Sequence, residues 1–465
     1  MSDFVYDIET YANCFTVAII QPDQQHQWQF EISEYRDDSK PLRLFLQWLA
    51  EQRHRMVGFN NVGFDYPVLH AFITHQANTY VEIYQFAQKI INTPYDNRFT
   101  NIVWQPAVEQ VDLFLIHHFD NAARSTSLKQ LEFVMRMDNI EEMPYPHYTE
   151  LSQEQIQLVH EYNLHDVKAT VMFYEKSQKE LRFRNELSQR YGIDMTNFND
   201  AKIGSQIFIK RLEEAGVPCY GPDRKPLQTP RPLIDLNTCI PNYIQFDNPE
   251  FERIHQWLRG QVIKETKGVF KDLSCKVGGI SYEFGTGGIH ASVEWRSFKS
   301  CDKRKIQVRD VSSMYPNIAI QNKLYPEHLG IEFCSIYEDI YKERKAHKKA
   351  GRDAEQSMLK LALNASYGNS NNKYSPFYDP KLTMSITLTG QLSLAMLCEK
   401  LLTVPGLEII FANTDGVCYI CDRDTEWYID VVCSWWESLT KLELETDEVN
   451  QIHVRDCNSY VQEYA

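Results

Sequence analysis

Residues 308–318, VRDVSSMYPNI, decide how the rest of the chain can be interpreted. An apolar run ends there on Asp310, and a turn through Ser312 and Ser313 follows it. An Asp that closes a strand is often only a turn-forming residue. A carboxylate at the end of a buried strand is costly, however, unless a cation compensates its charge. The stretch therefore predicts either a turn or one half of a metal site, and later stretches must decide between the two.

A helix is predicted over residues 355–368, EQSMLKLALNASYG, because Ala, Leu, Met, Lys and Gln favour helices and Gly368 can end one. Lys360, Asn364 and Tyr367 recur at intervals of four and three residues, so they share one face. A cation, an amide and an aromatic ring on one face could contact a triphosphate, a sugar and a base. The alternative is a solvated helix face that carries a tyrosine.

A second carboxylate, Asp415, is predicted at the tip of a hairpin over residues 407–420, LEIIFANTDGVCYI. Two apolar runs flank the four residues from Asn413 to Gly416, and Asp-Gly between two strands is a strong hairpin signal. A plain Asp-Gly turn without a metal is the alternative.

Together these three stretches resemble, in order and spacing, the motifs of family B DNA polymerases. DVSSMYP resembles the first palm motif, KLALNASYG the fingers motif and FANTDG the second palm motif. The last departs from the family, which usually has Asp where Asn413 stands and Ser where Gly416 stands. The resemblance implies that two Mg²⁺ ions, or Mn²⁺ in their place, are held by Asp310, Val311 and Asp415. It implies that the incoming dNTP is bound by Tyr315, Lys360, Asn364 and Tyr367.

The N-terminal part offers a second group of acids. Residues 4–10, FVYDIET, predict a strand with Asp7 and Glu9 on one face, where two like charges repel unless a cation lies between them. An exposed polar face of an edge strand is the alternative. Asp65 follows Asn61 and Phe64 in the pattern Asn, two residues, Phe-Asp, which could also begin a turn or a helix.

A long helix is predicted over residues 151–176, with Ser152 and Gln155 as a capping box. Tyr162 and Asp166 are four residues apart and share a face. His165 is about a quarter turn away, so we interpret it as a neighbour and not as a catalyst.

These acids resemble the three exonuclease motifs of proofreading polymerases. The resemblance implies a two-metal 3′–5′ exonuclease whose metal ligands are Asp7, Glu9, Asp65 and Asp166, with Tyr162 orienting the attacking water. A single-stranded DNA 3′ end would be contacted by Asn61 and Phe64. Ser127 and Leu128, in SLKQL, resemble the family's single-strand-binding motif, although any helix start gives the same pattern. Asp112 is expected either to be structural or to lie behind the metal ligands and orient them.

Composition limits the class of protein. A chain of 465 residues is too long for one compact core. It has no apolar run of membrane-spanning length and no evident signal peptide, so we expect a soluble protein without a membrane partner. Eleven cysteines, an odd and scattered set, indicate reduced thiols and a cytoplasmic location, in the host cell if the protein is viral. The net charge of −15 argues against strong sequence-independent DNA binding.

The predicted fold is α/β. A ribonuclease H-like exonuclease domain (1–185) and a connector (186–270) precede a palm with a mixed sheet (271–331 and 373–465). The palm carries short helical fingers (332–372), an antiparallel helix pair with a basic inner face on which Arg344, Lys345 or Lys348 could reach a triphosphate. The chain stops about where the family's thumb would begin, so we expect either a truncation or a second polypeptide that supplies the thumb.

The predicted function is DNA-directed DNA synthesis with 3′–5′ proofreading in bacteriophage replication, acting on primer-template DNA and dNTPs. Two alternatives stay open. The chain could be an exonuclease with an inactive polymerase half, which Asn413 and the expected lack of a thumb favour. It could also be a non-catalytic DNA-binding or assembly subunit.

Overall fold

The computed structural model describes residues 2–23, 26–121 and 123–465. The chain forms two compact units, Met1–Asp200 and Ala201–Ala465. Each unit combines helices with a β-sheet, so the predicted α/β class is confirmed. The finer domain bounds inside these units stay a prediction.

The first unit is built on a five-stranded sheet in the order β3-β2-β1-β4-β5. Its strands are β1 (Asp3–Tyr11), β2 (Cys14–Gln21), β3 (His26–Ser33), β4 (Arg55–Gly58) and β5 (Glu109–Asp112). Its helices are α1 (Ser39–Glu51), α2 (Asp65–Ile73), α3 (Tyr80–Ile91), α4 (Leu113–Ile116), α5 (Leu128–Met135), α6 (Gln153–Lys176) and α7 (Gln178–Tyr191). Strands β1 to β3 are antiparallel, and β4 and β5 run parallel to β1.

Strand β1 lies in the middle of this sheet and is covered on both faces. Phe4, Tyr6 and Ile8 pack in one apolar cluster, and Val5 packs in a second cluster on the other face. The alternative that Asp7 and Glu9 belong to an exposed edge strand is therefore wrong. The predicted helix over 151–176 is also present as α6, and Ser152 and Gln155 form the expected capping box.

The second unit is built on a nine-stranded sheet in the order β11-β15-β12-β14-β13-β10-β9-β8, with β16 paired to β15. Its strands are β8 (Ser274–Val277), β9 (Ile280–Phe284), β10 (Ile289–Ser292), β11 (Arg296–Lys299), β12 (Arg304–Val311), β13 (Glu408–Asn413), β14 (Gly416–Asp422), β15 (Leu444–Asp456) and β16 (Ser459–Tyr464). Two short strands, β6 (Ile234–Asp235) and β7 (Val262–Ile263), pair separately.

The pairings described in this sheet are all antiparallel, so the expectation of a mixed sheet was wrong. Short turns join β8 to β9, β13 to β14 and β15 to β16, and a short turn can connect only antiparallel neighbours.

Helices cover the sheet, and two of them pack together as a pair. They are α8 (Asp200–Glu214), α9 (Pro249–Arg259), α10 (Met314–Gln321), α11 (Glu332–Lys349), α12 (Asp353–Gly368), α13 (Pro380–Leu401) and α14 (Glu426–Thr440). Three residues separate α11 from α12, which are packed together, and the Tyr337 hydroxyl donates to the carbonyl of Leu363 at 2.6 Å. Among the described helices, none combines the length and the apolar character needed to cross a membrane.

Candidate active sites

The two acids predicted for the palm, Asp310 and Asp415, lie close together, one on a strand and one in the hairpin turn beside it. Asp310 lies near the end of β12, opposite Gly416 at the start of β14. Asp415 precedes Gly416 in the hairpin turn, and the Val311 N–H donates to the Asp415 carbonyl at 2.8 Å. Residues 305–309 are buried, as a strand inside the sheet should be, whereas Asp310 and Asp415 themselves are exposed. The structure thus brings together the two carboxylates that the sequence places 105 residues apart, and it leaves them open to a ligand.

Negative charge accumulates around Asp310. Partial loss of solvent, followed by the charges of Asp415, Asp447 and Glu445, raises the pKa of Asp310 to about 6. Loss of solvent also raises the pKa of Asp415. A carboxylate whose ionised form is disfavoured by other carboxylates is stabilised by a nearby cation.

The two departures from the family motif have structural counterparts. The side-chain amide of Asn413 donates to the Cys457 carbonyl at 3.0 Å, which an aspartate could not do. Its oxygen accepts from the Thr414 hydroxyl at 3.0 Å. A Cβ on Gly416 would overlap Oδ1 of Asp310. Both residues therefore fit the hairpin that carries Asp415.

A cavity of about 550 Å³ opens beside Asp415. Its lining includes Tyr315 from α10 and both Lys360 and Asn364 from α12. Tyr367, on the same helix, lies against Tyr315 with a ring-centroid distance of 4.4 Å. Lys360 and Asn364, on the predicted face of α12, therefore line the same cavity as Asp415. In contrast to the prediction, Gly368 is the last residue of the helix and not the residue after it.

The cavity has a basic wall from α11, formed by Arg344, Lys345, Lys348 and Lys349. Two of these cations are paired with acids that also line the cavity. Lys345 Nζ lies 2.6 Å from Glu443, and Lys348 Nζ lies 3.7 Å from Glu445. Because all four side chains are substantially exposed, each pair is worth at most about 1 kcal/mol.

The second acidic site lies in the first unit. Ligand atoms of Asp7, Glu9 and Asp166 all lie within 4.8 Å of one another. Asp7 and Glu9 come from β1, and Asp166 comes from α6. Asp65, the first residue of α2, is buried and close enough to Asp7 for its charge to raise the pKa of Asp7. Tyr162 is buried one turn before Asp166 and hydrogen-bonds to it.

Burial and mutual repulsion disfavour ionisation of these acids. Burial, then the charges of Asp65, Glu9 and Asp166, raise the pKa of Asp7. Burial, then Asp166 and Asp65, raise the pKa of Glu9. The pKa of Asp65 is raised by burial to about 7. In the absence of a cation these carboxyls therefore retain protons at a higher pH than free carboxyl groups do.

The loop that leads to Asp65 is held by Asp112. This buried carboxylate accepts from the backbone N–H groups of Asn60 at 2.9 Å and Val62 at 3.0 Å, so its expected structural role is confirmed. Asn61 has no exposed surface, and its amide lies 2.9 Å from the Gln110 side chain. Direct contact of Asn61 with DNA is therefore not available in this structure, contrary to the prediction. Phe64 is partly exposed beside it.

The pattern at Ser127 has a local explanation. Ser127 is the N-cap of α5 and forms a capping box with Gln130. Leu128 is partly buried. A helix start accounts for the Ser-Leu pattern, and a contact of these two residues with DNA stays a prediction.

Two residues of this site carried no signal in the sequence. Lys129 Nζ lies 2.6 Å from Asp166 Oδ1 and 4.6 Å from the centre of the Tyr162 ring. Glu132, whose side chain has no exposed surface, lies 3.2 Å from both Lys129 and His165. Lys129 and Glu132 were unremarkable residues of a short helix, and only their contact with α6 distinguishes them.

Both acidic sites suit hard divalent cations. Their side chains supply carboxylate oxygens, which Mg²⁺ prefers, and the raised pKa values reflect charge that a cation would neutralise. In the first unit the ligands would be Asp7, Glu9, Asp166 and Asp65. In the second they would be Asp310 and Asp415. Val311 donates its N–H to Asp415, and its role as a metal ligand stays a prediction.

Comparison with known proteins supports the fold. No protein-family model matches the chain, and no curated protein matches it. Among solved structures, the chain is similar to the family B DNA polymerase from the hyperthermophilic archaeon Pyrobaculum calidifontis, with a TM-score of 0.53 and 17% sequence identity. The match covers 99% of this chain and spans 58% of that one. A likeness at this identity shows a shared fold, so the resemblance found in the sequence is confirmed at the level of fold.

Proposed function

We propose that this chain is a template-directed DNA polymerase with a 3′–5′ exonuclease, and that it acts in bacteriophage DNA replication. The observation that carries the proposal is the position of Asp310 and Asp415 next to the cavity lined by Tyr315, Lys360 and Asn364. Two acids, a cation, an amide and an aromatic ring around one cavity are the groups that nucleotidyl transfer requires.

In the palm, Asp310 and Asp415 would hold two divalent cations. These cations would lower the pKa of the primer 3′-hydroxyl and stabilise charge at the transferred phosphorus. Lys360 and the basic wall of α11 neutralise the triphosphate. Tyr315, held by its contact with Tyr367, supports the sugar and excludes a 2′-hydroxyl. Asn364 and Tyr367 line the pocket for the base pair that the incoming nucleotide forms with the template.

In the first unit, Asp7, Glu9, Asp65 and Asp166 would hold two divalent cations at the 3′ end of single-stranded DNA. Tyr162 orients the attacking water. The two activities use separate groups of acids, so they can be removed one at a time.

Primer extension tests the proposal. A 5′-labelled primer-template is incubated with dNTPs and Mg²⁺. The unchanged chain should extend the primer, Asp310→Asn should only degrade it, and Asp166→Asn should only extend it. Degradation by the unchanged chain, with no extension even when Asp7→Ala has removed the nuclease activity, would favour an exonuclease with an inactive polymerase half. A non-catalytic subunit is indicated if the unchanged chain neither extends nor degrades the primer, and if Asp310→Asn and Asp166→Asn leave DNA binding intact.

The partners follow from this function. They are primer-template DNA, single-stranded DNA 3′ ends and dNTPs. We further propose a cytoplasmic location, because all eleven cysteines are free thiols.

A further inference from the structure

Helix α14 presents an apolar stripe on its outward face. Trp427, Val431 and Trp435 recur at intervals of four residues, so they lie along one side of the helix. Their exposed fractions are 68%, 57% and 40%. Aromatic side chains of this size contribute much favourable free energy when they are buried, and this contribution is lost where they face water. A contiguous exposed apolar stripe of this kind indicates a surface that another molecule covers.

The opposite face of α14 is held in place, so the helix cannot turn to bury the stripe. Trp436 has no exposed surface, and its indole N–H donates to the Ser393 carbonyl of α13 at 2.7 Å. On the flank of the helix, the Asp430 carboxylate lies 3.0 Å from the guanidinium of Arg309 on β12. The stripe therefore stays on the surface of the second unit.

The outward face of α14 is symmetric about Val431. Trp427 lies four residues before it and Trp435 four residues after it, and Tyr428 and Ser434 lie three residues before and after it. In an antiparallel copy of the helix, Val431 meets Val431 of the second copy, and each Trp427 lies beside a Trp435. Each Tyr428, which is large, then lies beside a small Ser434. The face is therefore complementary in shape to itself, as a two-fold interface between identical chains requires.

The charges at the two ends of the helix fit the same arrangement. Asp424 lies just before α14 and Lys441 just after it, and both are exposed. An antiparallel copy places the acid of one chain near the lysine of the other at both ends, whereas a parallel copy places like charges together. The helix dipoles also oppose each other favourably only in the antiparallel arrangement. Shape and charge therefore both favour a second copy of this helix as the occupant.

We propose that the outward face of α14 is a dimer interface, covered by a second copy of this chain in an antiparallel arrangement with the two-fold axis at Val431. The inference is independent of the proposed polymerase and exonuclease. Since an aromatic side chain buries about 150–250 Å², the exposed parts of both stripes together amount to roughly 600 Å². A stable complex buries about 1,200 Å² or more, so we expect a weak, reversible dimer with a Kd of about 10–100 µM.

Sedimentation velocity of the full chain measures this association between about 1 and about 200 µM, at about 0.15 M salt, which screens the repulsion between two chains of net charge −15. Val431→Glu places two carboxylates at the axis. Val262→Glu is the matched control, because Val262 of β7 has a similar exposed fraction, 59%. Asp424→Lys, alone and combined with Lys441→Asp, tests the orientation. Calorimetric melting temperatures report that each variant is folded.

The unchanged chain and Val262→Glu should form dimers with the same Kd. Val431→Glu should raise the Kd by about tenfold or more, because like charges that meet across an interface are costly. Asp424→Lys should raise the Kd by about two- to fivefold, and adding Lys441→Asp should restore it, because the pair forms again with its signs exchanged.

The inference is overturned if the unchanged chain stays monomeric over the whole concentration range, or if Val431→Glu dimerises as well as Val262→Glu. A Kd that the combined variant does not restore would overturn the antiparallel arrangement. The absence of polymerase or exonuclease activity would leave all of these outcomes as they are, since sedimentation reports only the mass of the assembly.

Discussion

The Asp310 carboxylate lies against Gly416, its antiparallel partner across β12 and β14, in the space that a Cβ would occupy. The family has a serine at the position of Gly416. In this chain, the absence of a side chain allows Asp310 to lie flat over the start of β14, beside Asp415. The glycine is thus part of the geometry of the proposed polymerase site.

A side chain at Gly416 should disable the polymerase and spare the exonuclease. Gly416→Ala would force the Asp310 carboxylate to rotate away from Asp415, since the overlap is with the free end of the Asp310 side chain. We expect primer extension to fall by about tenfold or more, a change of roughly 1.4 kcal/mol in the barrier. Single-strand degradation should stay unchanged.

Gly260→Ala is the control, because a Cβ there would approach no atom closer than 3.5 Å. Extension by Gly416→Ala within twofold of the unchanged chain would contradict this view of Asp310.

The substitution Asn413→Asp, which introduces the acid that family B polymerases usually have at this position, should lower the stability of the folded chain. In Asn413→Asp, a carboxylate would face the Cys457 carbonyl in place of the amide that donates to it at 3.0 Å. The variant loses this hydrogen bond and gains an unfavourable contact between two oxygens. Together these changes should lower the free energy of unfolding by about 1–2 kcal/mol. Urea unfolding of the full chain measures the difference.

Asn458→Asp adds the same charge to an exposed residue of the neighbouring turn, without a described side-chain hydrogen bond to lose. Equal stability of the two variants would show that the Asn413 contact contributes little.

Glu443 and Glu445 should compete with the nucleotide for the lysines of α11. Glu443 and Glu445 contact Lys345 and Lys348, which line the cavity. Replacement of both acids by Gln should lower the KM for dNTP by up to about fivefold, because each exposed pair contributes about 0–1 kcal/mol. The effect should shrink at high salt, since screening already weakens these pairs. An increase in KM would mean that the two acids assist nucleotide binding.

The acids of the first unit, which we propose form an exonuclease site, should make stability depend on pH in the absence of metal. Burial raises the pKa of Asp65 to about 7, whereas an unfolded Asp titrates near pH 4. The folded chain therefore binds more protons between these values, and the contribution of Asp65 is largest below pH 4 and is lost as the pH rises through 7.

In EDTA, Asp65→Asn should therefore raise the melting temperature at pH 8 and leave it nearly unchanged at pH 4. Adding Mg²⁺ should stabilise the unchanged chain more at pH 8 than at pH 5. Calorimetric scans at these values test both statements. A lower melting temperature for Asp65→Asn at pH 8 would indicate that the ionised carboxylate stabilises the fold.

Several elements could be predicted from the sequence because their signals are local. The capping box at Ser152, the helical spacing of Lys360, Asn364 and Tyr367, and the Asp-Gly turn after Asp415 each involve residues within one or two turns of chain. Such signals set backbone angles and side-chain faces directly, so α6, α12 and the β13–β14 hairpin follow from them. The resemblance of these stretches to the motifs of family B DNA polymerases then implied two separate acidic sites.

Only the tertiary structure decided which residues contact the acids and their neighbours. Lys129 meets Asp166 across 37 residues, and Asn413 meets Cys457 across 44. The burial of Asn61, the antiparallel pairing of the large sheet and the overlap of Asp310 with the space at Gly416 likewise depend on strands and helices far apart in sequence. No local pattern records such contacts, because they form only when packing brings distant segments together and excludes water between them.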